Sequence, residues 1–191
     1  MDTKHNGIAE TIKDDIVNAI KGAGDVVNAA VSAVSGVVTS TIQSTGKIGV
    51  SVLEVTSDVV KGAIQGAKDA GGDLGLAAKG IVIGVIRSAG QVGAQTFDTI
   101  AGAAGGIVKN TAELLGDVAL AAKGAVEGAI AGAKEIGLNI EEAASAAATG
   151  AMKAAYEISS EVGAKVRHAV TGTISGIEVV IKEPFKSEKN A

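Results

Sequence analysis

The sequence predicts an all-α protein whose organising element is a very long amphipathic helix, associated side by side with other helices. Two periodicities and one composition bias carry that prediction: an eleven-residue repeat, a 22-residue repeat laid over it, and 27 glycines against a single proline. The shorter repeat shows first in Lys61-Gly-Ala-Ile-Gln-Gly-Ala-Lys-Asp-Ala-Gly71, which returns 66 positions later as Glu127-Gly-Ala-Ile-Ala-Gly-Ala-Lys-Glu-Ile-Gly137. Cut in elevens from Val17, the chain gives fifteen units ending at Ile181 with no insertion, and residues 6–16 add a looser one. In each unit the third, fourth, seventh, tenth and eleventh places are mostly aliphatic or small, while the second, fifth and ninth hold most of the charge and amide. Eleven residues over three turns is about 3.67 per turn, so the apolar stripe runs nearly parallel to the axis of a straight helix.

In chain order, residues 1–5 read as an N-terminal tail and 6–181 as one continuous helix, because loops between separate helices rarely keep an eleven-residue phase. At about 1.5 Å per residue this helix would be about 260 Å long. Paired glycines make 71–73 and 104–106 the places where it could break, giving the alternative architecture, a helical hairpin or bundle. Pro184 ends the helical stretch, and residues 182–191 read as a charged C-terminal tail.

The 22-residue period places Ile20, Ile42, Ile64, Ile86, Val108, Ile130, Met152 and Ile174 on one line, with Val31, Leu53 and Phe97 at the same place in intervening units. These residues form the expected main seam, towards other helices or towards lipid. Two residues before members of that line come Gly62, Gly84, Gly106, Gly128, Gly150 and Gly172, while Asp73, Gln95, Asp117, Asn139 and Glu161 hold the matching place in the alternate units. The glycines therefore fall on the polar side of the wheel and read as a second, close-packing contact line. Simple duplication of a 22-residue unit is the competing explanation.

Composition sets the energetics. Hydrophobic residues are 47% of the chain but aromatics only 2%, so the apolar surface is nearly all Ala, Val and Ile. Each helix-interior glycine costs about 1 kcal/mol relative to alanine, on the order of 20 kcal/mol in total, so the helix needs a surface to lean on. Other helices or a lipid surface could provide it. Lys68, Lys79, Lys123, Lys134 and Arg167 flank the apolar arc, where basic side chains can snorkel towards a lipid headgroup, or simply belong to a solvated, ion-paired face. The small residues suit close helix packing better than deep insertion, so self-association is the first expectation and lipid the second.

Eleven-residue Gly/Val/Thr/Ala repeats without internal proline resemble the lipid-surface helices of synucleins and perilipins, and the 22-residue period resembles exchangeable apolipoproteins. Lys123-Gly-Ala-Val-Glu127-Gly128 is similar to the synuclein K-x-K-E-G-V motif, but the second lysine is absent, and so are the apolipoprotein prolines. The resemblance covers most of the chain and implies reversible coating of a lipid surface.

Reactive chemistry is sparse. There is no cysteine, and His5 and His168 lie far apart, which leaves no metal-ligand spacing. Gly46-Lys47 is followed by Ile48, so no phosphate-cradling loop forms. Adjacent carboxylates such as Asp14-Asp15 and Glu141-Glu142 point to different sides of a helix. Glu141 stands at an otherwise apolar fourth place, as a pairing position or an irregularity of frame. A net charge of −4 with mixed signs argues against nucleic acid, and neither a secretory leader nor a transmembrane helix is expected. The expectation is a non-enzymatic, cytoplasmic structural protein, free or peripheral to a membrane or lipid surface. It would use no cofactor or small-molecule substrate and would assemble into a filament, tube or sheet. The alternative is a peripheral coat on a membrane, lipid droplet or granule.

Overall fold

Twenty-two residues is the length of one helix plus one turn, and the chain uses its period that way. A computed structural model describes residues 3–45, 52–92 and 96–182. Among the described residues eight helices run in order: α1 (Thr3–Ala23), α2 (Val26–Thr45), α3 (Val52–Asp69), α4 (Leu74–Val92), α5 (Thr96–Glu113), α6 (Val118–Ile136), α7 (Ile140–Ile158) and α8 (Ser160–Val170). A hairpin of β1 (Gly172–Ile174) and β2 (Ile177–Val179) follows.

The continuous helix expected over 6–181 is therefore corrected to eight. The reason lies in the polar residues that alternate with the glycine line. The Asp117 side chain accepts a hydrogen bond from the Leu120 amide, that of Asn139 from Glu142, and that of Asp73 from Leu76. Each is an N-cap, and such a cap contributes about 1 kcal/mol by satisfying an amide that would otherwise lack a partner. Just upstream the preceding helix stops in the left-handed region, at Gly71 (φ 70°) and Gly137 (φ 74°). Because the joints capped by Asp73, Asp117 and Asn139 fall at the same place in the unit, these turns keep the phase instead of destroying it.

The break expected at 71–73 coincides with the α3–α4 turn, whereas 104–106 lies inside α5. Helix α1 already begins at Thr3, so the N-terminal tail is not 1–5. The repeat also leaves the helical state before Ile181. Gly172, Ser175 and Gly176 take positive φ and the chain turns back as a two-stranded antiparallel hairpin pairing Gly172 with Val179. Of the expected charged tail only Lys182 is described, and Pro184 lies outside the described residues.

The helices form two layers. The odd layer stacks α1, α3, α5 and α7, the even layer stacks α2, α4, α6 and α8, and helices consecutive in sequence pack across the layers. Contacts within a layer run in parallel register: Gly62 faces Ala9 and Gly66 faces Lys13, while Gly124 faces Gly75 and Gly128 faces Lys79. This is the arrangement of a helical-repeat stack, in which each unit buries its apolar face on its neighbours. The core lies between the layers and includes Ile12, Ile16, Val34, Val59, Ile81, Ile100, Ile107 and Met152, all essentially inaccessible. Strand β2 packs on α7 and, with the shorter α8, closes the C-terminal end.

Candidate interaction surfaces

The residues expected to form an external seam are used inside the chain. Ile20, Val31, Ile64, Ile86, Val108, Ile130 and Met152 are buried core residues, Phe97 is partly buried against them, and Ile174 is buried in β1. Ile42 and Leu53 belong to α2 and α3, but their side chains lie outside the described residues. A self or lipid contact made by this stripe itself would require the stack to open.

The glycines do form a contact line, but the neighbour is the helix two places earlier in the same chain. A Cβ on Gly62 would run into the carbonyl oxygen of Ala9, on Gly128 into that of Lys79, and on Gly150 into that of Ala101. At Gly84 it would lie 2.8 Å from the Val34 Cβ, and at Gly106 3.4 Å from Val60 Cγ1. Gly172 differs, being exposed in β1 at φ 89° with open space around it. Backbone approach this close gains dispersion and Cα–H···O contacts that offset the poor helix propensity of glycine.

Counted from the caps, the seventh, eleventh and fifteenth residues of the even helices form one row. It reads Gly80, Gly84 and Ser88 in α4, and Gly124, Gly128 and Gly132 in α6. Both rows are buried against the preceding even helix. In α2, capped by Asp25, the row is Ser32, Gly36 and Ser40, all three exposed, and a Cβ on Gly36 would meet nothing within 4 Å. No charged residue occurs in α2 from Val26 to Thr45.

Charged side chains tie helices together within a layer. Lys13 lies 3.6 Å from Asp69, Lys79 3.6 Å from Glu127, Arg87 2.7 Å from Glu135 and Lys109 2.6 Å from Glu157. Among the flanking basic residues, Lys79 is thus in a pair, and Lys68 donates to the Leu114 carbonyl within the odd layer. Lys123, Lys134 and Arg167 are exposed. The hydrogen bond from Lys109 holds the Glu157 carboxyl below the usual carboxylate range, with Lys153 adding to the effect. Such a depressed group stabilises the fold above its unfolded-state value, and that contribution is lost as pH falls through the folded value. Both partners are about half exposed, so the effect is small and screened by salt.

Between α5 and α7 runs a groove of about 370 Å³ floored by Gly102, Gly105, Gly106 and Gly150 and edged by Lys109, Lys153 and Glu157. A second of about 350 Å³ lies between the start of α7 and the hairpin, with Glu141, Glu142, Ser145, Glu178 and Lys182 around it. Glu141 sits exposed in the first turn of α7, where a carboxylate complements the helix dipole, which explains its presence at an otherwise apolar place. Among the described residues no group of His, Cys, Asp or Glu could hold a metal ion, and no helix is long and apolar enough to cross a membrane.

Sequence reasoning missed a set of surface leucines. Leu76, Leu115 and Leu120 are exposed around the α3–α4 and α5–α6 turns, and leucine elsewhere in the chain occurs only at 53, 74, 114 and 138. That confinement to the ends of units was the available signal. No protein-family model matches the chain, and comparison with curated proteins finds no significant match.

Proposed function

We propose that the protein is a non-enzymatic helical-repeat scaffold that acts by self-association, two copies meeting through the outer face of α2. The observation that carries this reading is the Ser32, Gly36, Ser40 row, which repeats in kind the rows that α4 and α6 already use to seat a neighbouring helix. A second copy of α2 laid on it would continue the even layer, with small residues allowing the two backbones to approach closely. The other end of the stack is closed by the hairpin and by α8, which exposes Glu161, Lys165, Arg167 and His168. One open end favours a closed two-fold pair over a filament, tube or sheet. Glu10, Asp14 and Asp15 are exposed on α1 beside that end, so pairing should tighten as salt screens their repulsion.

Sedimentation equilibrium tests the reading. At about 100 µM, an association of only about 5.5 kcal/mol would half-populate the pair. The wild-type chain is expected to be dimeric at that concentration, and Gly36→Lys to be monomeric with unchanged helicity. A wild-type chain that stays monomeric throughout, or a Gly36→Lys variant that pairs as tightly as wild type, would contradict it.

A further inference from the structure

The α5–α6 turn presents a leucine where the turns at 71 and 137 use glycine. Leu115-Gly116-Asp117 stands 44 residues after Gly71-Gly72-Asp73, and the two turns close with the same backbone bonds. Gly71 N donates to Lys68 O and Gly72 N to Ala67 O, as Leu115 N does to Ala112 O and Gly116 N to Thr111 O. Gly71 sits at φ 70° and Leu115 at φ 56°, in the left-handed region that leucine adopts only under strain. Leu115 is also 95% exposed. Strain and exposure both work against stability here, and glycine in the sister turn shows that the fold does not require the side chain.

Leu115 does not stand alone. Leu76 and Leu120 are 46% and 43% exposed at the starts of α4 and α6, which touch where Gly75 meets Leu120 and Gly116 meets Leu74. A groove of about 510 Å³ lined by Lys109, Ala112, Glu113, Glu157 and Ile158 carries the surface on towards the end of α7. The same turns carry exposed carboxylates at Asp73 and Asp117, the caps of α4 and α6, and at Glu113 at the end of α5, while Asp69 is already paired with Lys13. The neighbouring cations are engaged: Lys68 donates to the Leu114 carbonyl, Lys109 pairs with Glu157, and Lys165, within the field of Asp117, pairs with Glu161.

We propose that this leucine rim is a docking site for a cationic amphipathic helix of a partner protein, with Leu115 as the central anchor. An apolar face on the partner would cover the leucines, and its flanking lysines or arginines would meet the carboxylates. The same carboxylates disfavour an anionic bilayer, and they disfavour a second copy presenting an identical acidic rim. The site shares no residue with the α2 face, so it stands or falls separately from self-association.

The test uses the full chain and a fluorescently labelled peptide of about 18 residues, five helical turns, with leucines on one face and lysines on the other. A scrambled peptide of identical composition is the control. Fluorescence anisotropy is expected to show binding of the amphipathic peptide only. Leu115→Gly should weaken it about tenfold or more, as expected of a central anchor, without lowering the thermal midpoint, because glycine relieves the strained turn. Glu113→Gln should weaken it severalfold, and less at high salt. Equal binding of both peptides, or unchanged affinity in Leu115→Gly, overturns the proposal. So does binding to phosphatidylglycerol vesicles in place of the peptide that Leu115→Gly abolishes, and so does loss of wild-type self-association in that variant.

Discussion

Gly124→Val is expected to destabilise the protein by at least about 3 kcal/mol, whereas Gly36→Ala is expected to stabilise it. Both glycines belong to the same row of an even helix, and only their neighbours differ. A Cβ on Gly124 would run into the carbonyl of Gly75, a backbone atom of α4 that cannot step aside without shifting the helix. Gly36 has open space, so alanine there gains helix propensity of about 0.5–1 kcal/mol with nothing to displace. For a chain of this size that is a rise of roughly 1–4 °C in thermal midpoint. Unfolding followed by circular dichroism in dilute solution reads both. Equal effects of the same sign at the two positions would show that α6 does not pack on α4 as described.

Ile86→Ala is expected to cost about 2–5 kcal/mol, the usual range for emptying a buried aliphatic site. Ile86 is wholly inaccessible in α4, and its Cδ1 lies 2.9 Å from where a Gly132 Cβ would stand. Gly132→Ala should therefore also destabilise by crowding this isoleucine. In the double variant the added methyl enters the space the isoleucine leaves, so the two costs do not add. A coupling of about 1 kcal/mol or more is expected from a denaturant-unfolding double-mutant cycle. Additivity within about 0.5 kcal/mol would remove the contact between the two helices.

The helical class and the two periods are legible in the sequence, and so is the burial of Ile64, Ile86, Val108 and Met152, because period and apolarity are properties of the chain itself. The meaning of the longer period is not. Asp73, Asp117 and Asn139 fall in phase with the glycine line, and on a wheel they are indistinguishable from polar-face residues. What identifies them as caps is the turn glycine two residues upstream of Asp73 and of Asn139, a stop signal followed by a start signal. Eleven-residue phase gave the misleading answer since a 19-residue helix with a three-residue joint preserves it as well as a continuous rod does. The same misreading put Gly62 and Gly128 on a polar face, although they meet the carbonyls of Ala9 and Lys79. The large glycine penalty is likewise answered from within: the surface that supports each helix is the rest of the chain. Leu115 was invisible for a different reason. Its interest depends on a left-handed backbone and full exposure, neither of which a wheel represents.

The central claim is that the repeat folds back on itself, so the measurement that bears on it most directly is the radius of gyration of the full chain by small-angle X-ray scattering at low concentration. A folded chain of 191 residues has a radius of about 16 Å when compact, and a two-layer stack should lie within roughly 10 Å of that value. An unbroken helix of about 260 Å would give about 75 Å. A value near the first, together with strong helicity in the same dilute sample, is the predicted result. A value near the second, or helicity that develops only on concentration, would contradict the account.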